Sequence, residues 1–385
     1  MALDPETLDQ LLDTVRRFVR ERLVPHEAEV AENDAVPPEI IAEMRDLGLF
    51  GLSIPNAHGG LGLSVSDEVR IVHELGWPSP AFRSVFGTNV GIGSQGIVID
   101  GTDEQKTQWL PRLASGEIIA SFALTEPEAG SDAGSLRTSA RRDGDEYVLN
   151  GTKRYITNAP HAGIFTVMAR TDPNTPGAHG VSAFIVERNS PGLSVGPHHR
   201  KMGQQGAHTA DVVFEDCRVP AANLIGGVAG KGFKTAMKVL DRGRLHMGAI
   251  ATGIAERLID ESVGYASERQ QFGKPIGEFQ LVQAMLADSR TEAYAGRTMV
   301  ADAARRFDAG EDIVTEAACC KLFCTEMAGR VADRAVQIFG GAGYMAEYPI
   351  ERFYRDVRLL RIYEGTSQIQ QIVIARKMLR AAANR

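Results

Sequence analysis

The sequence predicts a mainly helical protein with a β-domain at its centre. The expected parts are a helical N-terminal domain over residues 1–120, an antiparallel β-domain over 121–230 and a C-terminal four-helix bundle over 231–385. Three observations carry this. Apolar residues recur at helical spacing in the first third. From about Ser121 to Gly227 the texture turns to short β-rich runs separated by Gly, Pro, Asn and Asp. After "GGVAGKGF" long helical patterns return. A chain of 385 residues is also large for one core, so two or three subdomains are expected.

In the first third, Asp4-Pro5 is a helix start, with the aspartate as cap and the proline in the first turn. Leu8, Leu11, Leu12, Val15, Phe18 and Val19 then fall on one face. "IPNAHGGLGLS" and "GWPSPAF" punctuate further helices up to "EQKTQWLPRLASGE". In the middle, "EYVLNGTKRYITN", "GIFTVMART", "GVSAFIVER" and "ADVVFEDCRVP" read as strands. Their connections are too short for helical crossovers, which favours antiparallel pairing. In the last third, helices are expected over residues 233–269, 280–309, 315–339 and 367–383, lengths that suit a bundle.

Composition narrows the function. The net charge of −7 argues against a nucleic-acid-binding surface. The start lacks a signal-peptide core and no apolar run is long enough to span a membrane, so a cytoplasmic location is expected, or the mitochondrial matrix in a eukaryote. Four cysteines make no disulfide framework, and Cys320 and Cys324, at helical spacing, read as buried free thiols. Several motifs fail. Gly91–Gly96 matches G-x-G-x-x-G but lies in a helical zone without a preceding strand. "GGVAGKG" has the wrong spacing for a phosphate loop. His198-His199 lacks acidic company in sequence, so no metal site is expected.

The segment "RIYEGTSQIQ", Arg361–Gln370, sets a lone carboxylate between an aromatic and a glycine, just before a helix. Thr366 or Ser367 caps that helix, on which Ile369, Ile372, Val373 and Leu379 share a stripe. In an apolar pocket Glu364 would have a raised pKa and serve as a base; alone, the segment also reads as a solvated loop.

Taken with four other segments, it does not stand alone. "FALTEPEAGSD", "NGTKRYITNA", "ERQQFGKPIGEFQ", "QIFGGAGYMAEYPIERFYRDVR" and "IYEGTSQIQ" occur in that order and together resemble the acyl-CoA dehydrogenase family. The resemblance covers nearly the whole chain and implies the three-part architecture read above, usually assembled as a homotetramer, a dimer of dimers. It implies non-covalent FAD. Phe122, Leu124 and Thr125 match the segment lining the isoalloxazine, and Ser131 matches a contact to the cofactor phosphate or the CoA arm. In Tyr155-Ile156-Thr157, Tyr155 stands where the family often has Trp, and Thr157 matches the threonine approaching flavin N5. Arg269, Gln271, Phe272 and Gln280 match a segment reaching across the dimer to the FAD diphosphate and adenosine. Gln337, Gly340 and Gly341 match its adenine side, and Thr366 and Gln368 contacts from the last helix start.

For the substrate, the resemblance implies an acyl-CoA thioester oxidised between its α and β carbons. Glu364 takes the α-proton while hydride leaves for FAD N5, and Asp241, Arg244, Tyr363 and Gly365 match substrate-pocket positions. Some members carry the base one residue before that arginine; this chain has Gly243 there, so Glu364 is the candidate. The electrons are expected to pass to an electron-transferring flavoprotein. Two alternatives remain. One is a DNA-binding protein of the same fold, against which the acidic charge and the intact "YEGTSQIQ" speak. The other is a dicarboxylyl-CoA dehydrogenase: Arg83-Ser84 resembles the pair with which glutaryl-CoA dehydrogenases hold a distal carboxylate, although the acid supporting that arginine is replaced by Gly76.

Overall fold

The computed structural model describes residues 3–175 and 177–383. Seven helices build the N-terminal part: α1 (Pro5–Phe18), α2 (Glu27–Asn33), α3 (Pro38–Asp46), α4 (Val65–Glu74), α5 (Pro80–Val90), α6 (Gln95–Asp100) and α7 (Asp103–Ala114). Their starts are chemically marked. The Asp4 side chain accepts from Thr7 N–H with Pro5 in the first turn, and Thr102 and Gln105 form a reciprocal capping box on α7. Leu8, Leu12, Val15 and Phe18 of α1 are buried, as their spacing requires. The G-x-G-x-x-G match covers the turn after α5 and the first two residues of α6, with no strand before it.

The central domain is a seven-stranded sheet of β1 (Ala120–Ala123), β2 (Ser139–Asp143), β3 (Glu146–Thr157), β4 (Ile164–Arg170), β5 (Val181–Glu187), β6 (Leu193–Val195) and β7 (Thr209–Pro220). Most pairs are antiparallel, as expected. The expectation of antiparallel pairing throughout is corrected at one edge, where β1 runs parallel to β4 and Ser139 of β2 bridges in parallel to Arg170. No helical crossover is needed, because the β2–β3 hairpin itself returns the chain between the parallel partners.

The C-terminal part contains α8 (Gly232–Glu268), a two-residue hairpin of β8 (Gln270–Gln271) and β9 (Lys274–Pro275), α9 (Gln280–Asp308), α10 (Val314–Phe339), α11 (Gly341–Tyr344), α12 (Ile350–Val357) and α13 (Ser367–Ala383). The four long helices begin and end within one residue of the expected bounds. The core formed by α8, α9 and α10 also takes in Val65, Val69 and Val72 of α4, so the N- and C-terminal parts share one apolar interior. At that seam Gly76 and Gly253 allow close approach: a Cβ on Gly76 would lie 2.6 Å from Ile250 O. That contact explains why an acidic side chain has no room at position 76.

The apolar stripe expected on α13 is not buried within the chain. Ile372 and Leu379 are exposed, whereas Ser367 and Gln370 are the buried positions. Cys217, Cys320 and Cys324 are buried free thiols, and burial pushes Cys320 up to about 12, far from reactive thiolate. Among the described residues no helix is long and apolar enough to cross a membrane.

Candidate active site

Glu364 occupies a left-handed turn, φ 53°, followed by Gly365 at φ 89°. A non-glycine residue there is unfavourable and persists only where its surroundings hold it. Two side chains do so. Lys321 of α10 donates to Gly365 O at 2.6 Å, and Gln370 Nε2 donates to Gly365 O at 3.1 Å and to Glu364 O at 3.3 Å. Thr366 Oγ1 accepts from Ile369 N–H and caps α13, deciding between the two expected caps, while Ser367 Oγ donates to Glu326. Among the described residues nothing accepts from the Glu364 N–H.

The turn aims the carboxylate at the face of α8. Glu364 is partly buried, and its Oε2 is shut off from solvent without a hydrogen-bond partner among the described residues. A Cβ on Gly243 would lie 2.7 Å from that oxygen. The two positions weighed for the base therefore face each other, and the glycine on one leaves room for the carboxylate from the other. Burial raises the Glu364 pKa above the usual carboxylate range, against the opposing charges of Arg83, Lys321 and Arg244.

Arg244 pairs with Asp241 three residues earlier, so these two candidates partly neutralise each other beneath the carboxylate. Burial raises the Tyr363 phenol well above its ordinary range. Arg83, on α5, is half-buried; its guanidinium folds back over Gly87 and makes no hydrogen bond or ion pair among the described residues. The structure thus gathers Glu364, Gly365, Tyr363, Asp241, Arg244 and Arg83 in one region.

The β-domain candidates form a second group. At a β-bulge between Lys153 and Ile156, Tyr155 takes φ 59°, which turns its ring outward to 64% exposure. Asn158, also left-handed, donates to Ser84 O at 2.7 Å and to Thr88 Oγ1 at 2.9 Å, tying the end of β3 to the helix that carries Arg83. Thr125 O accepts from Arg154 N–H, and Thr157 O accepts from Ser121 Oγ, so the exit of β1 lies against β3. One correction follows. The side chains of Phe122, Leu124 and Ile156 are buried in cores, so any ligand contact from Ile156, 2% exposed, falls to its main chain. Ser131 is exposed.

A third group stands apart from both. Arg269, Gln271, Gly340 and Gly341 line a recess of about 640 Å³ with Tyr265 and Tyr348. Around it Gln280 and Gln337 are exposed, Phe272 is 94% exposed, and a Cβ on either glycine would meet nothing within 4 Å. Gln368 is exposed at the start of α13.

Sequence reasoning missed Lys321, Gln370 and Asn158. Lys321 had a legible signal, a lone cation on the apolar face that also carries Ala317, Cys324 and Ala328. It also missed acidic company for the histidines. Asp34 Oδ2 lies 3.6 Å from His198 Nε2, and Asp211 Oδ1 lies 3.3 Å from His199 Nε2. Asp34, His198 and His208 bring ligand-type atoms within 4.8 Å of one another. His208 has both ring nitrogens engaged, however. Nε2 donates to Asp34 O at 2.6 Å, which leaves Nδ1 to accept from His161 at 2.8 Å. The cluster therefore works as a clasp between the N-terminal and central domains.

The chain matches the acyl-CoA dehydrogenase N-terminal domain over residues 5–117, the middle domain over 121–217 and the C-terminal domain over 230–379. It is 46% identical over 374 residues to the acryloyl-CoA reductase (NADH) of Anaerotignum propionicum, covering 97% of this chain and 94% of that protein. It superposes on butyryl-CoA dehydrogenase from Megasphaera elsdenii with a TM-score of 0.94 at 37% identity, over 98% and 99% of the two chains. It also superposes on an acyl-CoA dehydrogenase complexed with FAD from Bacillus anthracis, TM-score 0.91 and 35% identity, covering all of this chain and 69% of that one. With its three domains in order and a buried, unpartnered carboxylate facing α8, this chain belongs to the acyl-CoA dehydrogenase family and is an enzyme of that family.

Proposed function

We propose that the protein is a FAD-dependent acyl-CoA dehydrogenase that converts an acyl-CoA thioester to the trans-2-enoyl-CoA, with Glu364 as the base. The observation that carries this is the Glu364 carboxylate, whose Oε2 is buried and unpartnered and whose basicity is raised by burial. Such a group is poised to take a proton from carbon. The α C–H bond breaks toward Glu364, its electron pair becomes the new double bond, and hydride departs from the β-carbon. When bound, FAD supplies the acceptor for that hydride. The Glu364 N–H, without an acceptor among the described residues, would donate to the thioester oxygen as charge develops on it.

The residues present fit the cofactor. The outward ring of Tyr155, with Thr125 and Thr157 beside it, offers a face for the flavin ring. The open recess with Arg269, Gln271, Gly340 and Gly341 offers a planar cation for the diphosphate and room for an adenine. These two groups do not share a recess, which supports a site completed by a neighbouring subunit, with Phe272, Gln280 and Gln337 reaching across and Gln368 contributing from α13. The exposed Phe272, Leu281, Tyr344 and Leu379 suit such an assembly, a homotetramer built as a dimer of dimers. An electron-transferring flavoprotein is the partner this reading assigns. The acryloyl-CoA reductase relative names the same conversion run in the other direction, so both directions belong in the test.

A second reading rests on Arg83. Its guanidinium has no hydrogen-bond or ion-pair partner among the described residues, and its charge bears on Glu364 and Tyr363. A distal substrate carboxylate would find an unclaimed partner there. The deciding experiment is anaerobic bleaching of the yellow holoenzyme with short, branched, long and dicarboxylic acyl-CoAs, alongside NADH oxidation with acryloyl-CoA. Bleaching by wild type and none by Glu364→Gln is expected, and near wild-type bleaching by that variant removes Glu364 as the base. If Arg83 selects a carboxylate, Arg83→Ala reverses the preference between dicarboxylyl- and monoacyl-CoA of equal length; an equal response dismisses it.

A further inference from the structure

Lys321 belongs to no motif that carries the family resemblance, yet it meets the base loop from below. It is fully buried on α10, and Gly365 O accepts its hydrogen bond at 2.6 Å. No carboxylate lies within 4.0 Å of its Nζ among the described residues. Three cations from three elements face Glu364: Arg83 from α5, Arg244 from α8 and Lys321 from α10. Arg244 already has Asp241 as its partner, and Arg83 is only half-buried. Among the described residues Lys321 is thus the one of the three that is both fully buried and without an ion-pair partner.

We propose that Lys321 is the positioning residue of the base. Its hydrogen bond to Gly365 O holds the left-handed Glu364-Gly365 turn, and its charge keeps the Glu364 carboxylate ionised inside a desolvated pocket. This rests on the reading of Glu364 as the base. The turn needs a holder, because two consecutive residues sit at positive φ, and a Cβ on Gly365 would strike Gln370 Nε2 at 2.5 Å. The charge is felt in both directions. Burial lowers Lys321 to about 8 against the raising effects of Glu364 and Glu326, with Arg244 lowering it further. Glu326 is itself occupied by Arg361 and Ser367. Glu364 is in turn held below the level that burial alone would impose by Arg83, Lys321 and Arg244.

The test compares Lys321→Met, Lys321→Gln and Lys321→Arg in the flavin-loaded enzyme, with fold and flavin content checked first. The readout is the pH profile of single-turnover flavin reduction by a substrate that bleaches wild type. The acid limb reports ionisation of the base. In the Met and Gln variants it moves to higher pH by about one unit or more, because a nearby opposite charge shifts a carboxylate by that order. At a fixed pH well down the acid limb the rate falls accordingly, by about tenfold. Lys321→Arg keeps the limb near its wild-type position. If the Met variant does not fold, the Gln and Arg pair carries the same comparison. A packing role would lower the rate evenly at every pH, and an unmoved limb in the neutral variants overturns the assignment. Glu364→Gln run in parallel separates the two failures. Bleaching in Glu364→Gln removes the base reading, whereas an inactive Glu364→Gln beside an unmoved limb removes the Lys321 assignment alone.

Discussion

Two loops of the candidate site each rest on a fully buried lysine, and they are built differently. Under the Leu124–Glu126 segment, Lys153 of β3 donates to Leu124 O at 3.1 Å and to Glu126 Oε1 at 2.7 Å. Glu126 also accepts the N–H groups of Arg137 at 2.6 Å and Thr138 at 2.9 Å. Under the Glu364-Gly365 turn, Lys321 donates to a carbonyl, and the neighbouring carboxylate is left without a partner. Burial brings both lysines to about 8. The carboxylates diverge. Burial pushes Glu126 up, but Lys153 and the backbone donors outweigh it and bring it below its ordinary value, whereas Glu364 stays raised. A satisfied buried pair organises structure; an unsatisfied carboxylate keeps its basicity for chemistry.

Exchanging each carboxylate for its amide breaks the comparison most directly. Glu364→Gln is expected to cost about 10²–10⁴-fold in turnover while folding normally, read by stopped-flow flavin reduction. Its stability should rise. A carboxyl with a raised folded pKa stabilises the fold fully only below its unfolded pKa, and loses that contribution as pH climbs through the folded value. The variant should therefore melt above wild type at pH 8 and converge with it in acid.

Glu126→Gln should do the reverse. It leaves Lys153 buried and uncompensated, a loss of about 3–5 kcal/mol by denaturant melts. Because the folded pKa of Glu126 is lowered, its contribution is present above the unfolded pKa and lost as pH falls through the folded one. The difference between variant and wild type should shrink in acid. A variant as stable as wild type at pH 7 would falsify the structural role given to this pair.

Smaller effects sharpen the contrast between buried and exposed ends of the site. Arg269→Ala, at the open recess, should weaken FAD retention by about tenfold to a hundredfold through loss of a charge-assisted contact, measured by flavin loss on dilution. Full retention by a monomeric variant would end the shared-site reading. Gly243→Ala should crowd Glu364 Oε2 and slow flavin reduction by about tenfold with little change in melting. A wild-type rate would show that the carboxylate does not need that space.

By itself the sequence determined the elements and singled out the Glu364 segment as the candidate base loop. The helix bounds were legible because apolar spacing and caps such as Asp4-Pro5 act within a few residues, and Glu364 because its neighbours form one contiguous segment. Tertiary structure alone decided what surrounds them. The parallel β1–β4 pair, the Asp34 clasp on His198 and His208, and the exposure of the α13 stripe depend on partners far along the chain or outside it. Lys321 lies 43 residues before Glu364 and Gly243 lies 121 before it, so no local pattern links them. The basicity of Glu364 is set by desolvation, which raises it, against the opposing charges on three separate helices, quantities that exist only once α5, α8 and α10 have packed around it.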